Sequence, residues 1–114
     1  RNVIIRILEG EGISKVLLKP IKLKDKKRFV FPGGTDEIEI DGLSEEPPII
    51  IEITSILRNT EKVNTFLRKK EFIEKKFKKK FRGFFIAAGS ELTQQEIADI
   101  TVLLRKHKSE LINL

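Results

Sequence analysis

The chain has no cysteine, methionine, tryptophan or tyrosine, and its one histidine is His107. Without cysteine there is no disulfide and no thiolate metal site. One imidazole leaves a histidine-based zinc centre without its ligands. A catalytic metal would therefore sit on carboxylate oxygens, which suits Mg²⁺ or Mn²⁺. No apolar run approaches the roughly 20 residues needed to cross a bilayer, and no secretory leader is visible. No membrane association is expected, and the cytosol is the expected compartment. The chain opens with Arg1 rather than Met, so a fragment of a longer protein is expected.

What is present is charge. Lys, Ile and Glu dominate, a composition that suits a thermophilic source. At 114 residues one domain with one core is expected, able to fold without staples. The net charge of +6 is unevenly spread. Pro32–Thr60 carries seven acids (Asp36, Glu37, Glu39, Asp41, Glu45, Glu46, Glu52) against Arg58 alone. Glu61–Arg82 carries ten bases against Glu61, Glu71 and Glu74. An acidic centre beside a basic helix suits a metal-dependent enzyme acting on a polyanion. The competing reading is a solvated surface of mixed charge.

Hydrophobic periodicity predicts the order α-β-β-β-α-β-α. Val3–Leu8 forms a helix closed by Gly10 and Gly12. Ile13–Leu23 is an edge strand bent at Pro20, and Phe29–Phe31 begins a further extended piece. Thr35–Asp41 alternates strictly, with Ile38 and Ile40 on one face and Glu37, Glu39 and Asp41 on the other. Gly42–Pro48 reads as a turn. Ile49–Thr54 is a buried central strand broken only by Glu52. Asn59 or Thr60 caps a helix from Glu61, with an apolar stripe of Val63, Phe66, Leu67, Ile73, Phe77 and Phe81, ending at Arg82-Gly83. Phe72 falls opposite that stripe and suggests a dimer or interdomain contact. Gly83–Gly89 is a second buried strand, parallel to Ile49–Thr54. Thr93-Gln94-Gln95-Glu96 fits a capping box, opening a helix whose core face is Ile97, Ile100, Leu103, Leu104 and Leu111.

The carboxylate of Glu52 inside an apolar strand is costly unless something answers it. Asp41 ends the preceding strand, and a hairpin can bring the two acids together. A divalent cation would relieve their repulsion.

Asp41 at a strand end, followed by Glu52-Ile53-Thr54 on the next strand and then a helix, resembles the PD-(D/E)XK nuclease superfamily. Thr54 stands where the motif has Lys. Glu39-Ile40-Asp41 and Phe66-Leu67-Arg68-Lys69-Lys70-Glu71 look most like archaeal members. The resemblance implies a restriction-endonuclease-like αβββαβ core, a mixed sheet flanked by helices, here with an extra C-terminal helix. It implies a Mg²⁺-dependent (or Mn²⁺-dependent) endonuclease hydrolysing phosphodiester bonds in DNA. Asp41 and Glu52 would hold the metal, with the main-chain carbonyl of Ile53 and, more weakly, Glu39 as further ligands. The missing lysine would come from the following helix. Lys70 is placed for that role by the apolar stripe, and Lys69 by register with the motif. Thr54 is a candidate for positioning water. Superfamily nucleases often dimerise, so a homodimer is a further expectation.

Lys75, Lys76, Lys78, Lys79, Lys80 and Arg82 are expected to contact the nucleic-acid backbone, without base readout. A solubilising helix end favoured by the helix dipole is the alternative. For Asp41 and Glu52 the alternative is a structural bridge to a nearby lysine. At the level of the domain, the rivals are a catalytically inactive nuclease-fold module for DNA binding or assembly, and a purely structural α/β domain.

Overall fold

The computed structural model describes residues 2–113, Asn2 by its backbone alone. The elements are α1 (Asn2–Gly10), β1 (Lys19–Lys24), β2 (Glu37–Ser44), β3 (Ile49–Leu57), α2 (Glu61–Phe77), β4 (Arg82–Ser90), α3 (Gln94–Lys106) and β5 (Ser109–Asn113). The five strands form one mixed sheet in the order β1-β2-β3-β4-β5. β1, β2 and β3 make an antiparallel meander, and β4 and β5 add in parallel. The described residues form an α/β domain with three helices.

The period-two alternation of the central strands sorts the core into two layers. Ile49, Ile51, Phe84 and Ile86 pack with Ile4 and Leu8 of α1. Ile50, Phe85 and Ala87 pack with Val63, Phe66 and Ile73 of α2 and with Ile100 and Leu104 of α3. Helices thus cover both faces, which is why β3 and β4 read as nearly continuous apolar runs. Phe66 meets Phe85 edge-on, with centroids 5.7 Å apart.

One irregularity shapes the site. Lys19 pairs with Leu43 but Ile21 pairs with Ile40, so Pro20 alone faces both Asp41 and Gly42. Proline has no N–H for the ladder, and the extra β2 residue is taken up as a bulge. Ile40 and Leu43, three positions apart, consequently both join the layer under α2. Past the bulge β2 stays with β1 as far as Lys24↔Glu37, while its pairing with β3 stops at Gly42↔Ile51. β3 continues beside β4 to Leu57. A fork therefore opens between β2 and β3 at Asp41.

Several expectations are corrected. Asp41 lies inside β2, which runs on to Ser44, rather than at a strand end before a turn. Only Lys19–Lys24 of the first extended segment is strand, and Phe29–Phe31 is not. Val30 is instead buried in a loop pinned by its N–H to Asp25 Oδ2 (2.8 Å) and by Arg68 Nε to its carbonyl (2.8 Å). α2 stops at Phe77 because Lys78 turns left-handed (φ 56°) and donates its N–H to the Glu74 carbonyl. Phe72 packs at the edge of the core instead of facing outward. Asn59, not Thr60, supplies the capping side chain of α2, accepting from the Glu61 N–H at 2.9 Å. The capping box at Thr93 and Glu96 is present. Leu111 belongs not to α3 but to a fifth strand, β5, entered through Lys108 at φ 56°.

Candidate functional site

The fork brings the two sequence-predicted acids together. Asp41 Oδ2 accepts the Ile53 N–H at 2.8 Å, so its side chain takes the place of the β2 backbone that has swung away. Its carboxylate neighbours that of Glu52, one residue before Ile53 on β3. Glu52 points toward α2, where Lys69 Nζ donates to Glu52 Oε1 at 3.0 Å and to the Glu39 carbonyl at 2.8 Å. The ammonium thus spans the fork, with one bond to each strand. Lys69 and Glu52 side chains are only 11% and 21% exposed.

That burial is the main reason the Glu52 carboxyl is pushed up from 4.5 to about 7. Desolvation disfavours the charged form. Lys69 pulls in the opposite direction and is outweighed, while the Asp41 carboxylate pushes the value further upward. The site therefore holds two adjacent carboxyl groups and one ammonium. Asp41 Oδ2 is bonded to the Ile53 N–H and Glu52 Oε1 to Lys69, and the two carboxyl groups also share a hydrogen bond with each other. Among the described residues, no three His, Cys, Asp or Glu side chains gather as a metal-holding group.

A cleft of about 520 Å³ opens beside Glu52, lined by Phe31, Ile56, Arg58, Asn59, Glu61, Lys62, Thr65 and Lys69. The pinned loop supplies Phe31 as one wall. Thr54, two residues after Glu52 on the same strand face, is buried and accepts from Lys62 Nζ at 3.0 Å. Lys62 is not among the sequence-predicted residues. Its signal is its spacing from Lys69: seven residues, two turns, one helix face.

Other sequence-predicted residues lie elsewhere. Lys70 is buried but turns to Glu74 (2.9 Å), whose Oε2 also accepts the Phe81 N–H at 2.9 Å. It closes the end of α2 and is not brought to Glu52. The Glu39 side chain is exposed and faces Lys22 at 3.6 Å, so only its carbonyl reaches the site. Ile53 contributes its amide to Asp41, with its side chain exposed.

The basic run divides. Arg82 is drawn to Glu11 and Glu110, joining the α1–β1 loop to β5. Lys79 binds Glu46 and the Glu45 carbonyl. Lys75 lies over Phe29 and pairs with Glu71 at 3.3 Å. Lys80 lies 3.9 Å from Glu74, and Lys76 is exposed. Lys75, Lys78, Lys79 and Lys80 line a second cleft of about 690 Å³ with Arg68 and His107. The two clefts share no lining residue and occupy different flanks of α2. No helix among the described residues is long and apolar enough to cross a membrane. No family model, curated protein or solved structure matches the chain.

Proposed function

We propose that this domain is a metal-dependent nuclease of the PD-(D/E)XK type, hydrolysing phosphodiester bonds in DNA. The observation that carries the reading is the meeting of Asp41 and Glu52 at the β2–β3 fork, with Lys69 bound to Glu52.

The donor set fits a hard divalent cation. Two carboxyl groups adjoin, each anchored through one oxygen, and burial with the Asp41 carboxylate alongside keeps a proton on Glu52 up to about pH 7, a proton that a divalent cation would displace. Mg²⁺ is commonly held by one or two carboxylates while keeping several waters, so two acids suffice. Asp41 and Glu52 would hold it, and the Ile53 carbonyl would add a donor. When bound, such an ion lowers the pKa of water and offsets charge developing on phosphate.

The chain's own groups do the rest. Lys69 orients Glu52 and favours its ionised form. The Ile53 amide fixes Asp41. Phe31 narrows the cleft in which the phosphodiester would lie. Water attacks phosphorus, the bond to the leaving oxygen breaks, and the proton balance leaves a phosphomonoester on one product and a hydroxyl on the other. Cations on the second flank of α2 would hold more distant backbone phosphates.

The test is nicking of supercoiled plasmid by the wild-type protein with Mg²⁺ or Mn²⁺, abolished in Asp41→Ala and Glu52→Ala. A second reading, an inactive nuclease-fold module that binds DNA, draws on Thr54 at the motif lysine position and on the internal pairing of Glu52 with Lys69. It predicts salt-sensitive DNA binding with no cleavage under either metal.

A further inference from the structure

The cations lining the Glu52 cleft are each answered by a carboxylate, with one exception. Lys69 is paired with Glu52 and Arg58 with Glu91. Lys62 enters the same cleft from the first turn of α2 but donates to a neutral group, Thr54 Oγ1, at 3.0 Å. Among the described residues no carboxylate pairs with Lys62, although Glu61 also lines the cleft. The Thr54 hydroxyl donates onward toward the Ile56 carbonyl at 3.5 Å, so its oxygen is oriented to accept from the ammonium. An ammonium held in place on a neutral partner, at the mouth of a cleft, keeps its full charge for an incoming anion.

We propose that Lys62 is a phosphate-contacting catalytic residue, its ammonium delivered by α2 to the spot above Thr54. This rests on the nuclease reading for the identity of the substrate, but the anion site itself does not. Lys62 and Lys69 lie two helical turns apart, roughly 10 Å along the axis. Glu52 and Lys62 line one cleft, and Thr54 follows Glu52 by two residues on the same strand face, roughly 7 Å along β3, so a phosphate touching Lys62 stands within reach of the carboxylate pair. The two ammonium groups divide the work. Lys69 answers the protein's own carboxylate, and Lys62 answers the substrate's negative charge.

The experiment uses two readouts. In metal-free protein, the NMR signals of the backbone amides of residue 54 and Ile56 are followed during titration with inorganic phosphate. The wild type should shift and saturate, and Lys62→Ala should stay flat. Lys62→Ala/Thr54→Lys, which restores an ammonium at the same spot from the strand, should regain the response. In plasmid nicking with Mg²⁺, Lys62→Ala should lose about 100-fold in rate, the usual scale for one lost charge-stabilising donor, and Lys62→Arg should fall between. An equal phosphate response in wild type and Lys62→Ala overturns the inference, whatever the cleavage result. A Lys62-dependent phosphate response in a protein that never nicks DNA leaves the anion site standing and overturns the nuclease reading.

Discussion

Lys69 Nζ meets Glu52 Oε1 at 3.0 Å, tying the middle of α2 to the strand that lines the fork. Lys69→Met removes the ammonium and leaves a shielded carboxyl beside Asp41. Breaking one side of such a pair costs about 3 kcal/mol. Urea unfolding of Lys69→Met at pH 7 should show a loss of that order, and Lys69→Met/Glu52→Gln should recover a large part of it.

The raised pKa of Glu52 sets a pH dependence of known sign. Unfolded, this carboxyl loses its proton near 4.5, and folded it keeps it to about 7. Between those values the folded state binds more protons, so stability falls as pH rises. The contribution is fully present below pH 4.5 and gone above about pH 7, a change on the order of 3 kcal/mol. Glu52→Gln should flatten that part of the stability profile, measured by denaturant unfolding from pH 4 to 8. A divalent cation competing with this proton should raise Tm more at pH 8 than at pH 5.5.

Lys70 and Glu74 form a second pair on α2 with a structural job, since Glu74 also holds the Phe81 amide. Lys70→Met and Glu74→Gln should each destabilise by about 2 kcal/mol. Because the residues share one network, the double variant should lose clearly less than the sum.

Two helix ends carry lysine where glycine is usual. Lys78 closes α2 and Lys108 follows α3, both at φ 56°. A left-handed residue with a Cβ costs about 1 kcal/mol. Lys78→Gly should therefore raise stability by about 0.5–1 kcal/mol in thermal or urea unfolding.

Those two lysines also explain where sequence reading ran out. α3 and β5 are joined with neither glycine nor proline to mark the break, and Leu111 falls seven residues after Leu104, on the helical period. The helical stripe of the sequence therefore runs on without a break through the fifth strand. Elements with plain chemistry were legible: the capping box at Thr93, the apolar runs of β3 and β4, and the parallel crossover between them. At the site, Glu52 was legible because a carboxylate interrupts isoleucines. Asp41 was legible as an acid, but not as a bulge residue, because the bulge is forced from outside β2, by Pro20 on the neighbouring strand. The choice between Lys69 and Lys70 depends on side-chain reach across a few ångströms, which helical periodicity does not resolve. Lys62 was hidden among 23 basic residues.

The proposed metal site requires Asp41 and Glu52 to hold one divalent ion together, which Mn²⁺ titration at pH 8 reads out by calorimetry and by the EPR signal of free Mn²⁺. One Mn²⁺ per wild-type chain is expected, with at least a tenfold loss of affinity in both Asp41→Asn and Glu52→Gln. Unchanged Mn²⁺ affinity in either variant, or no binding by the wild type, would contradict it.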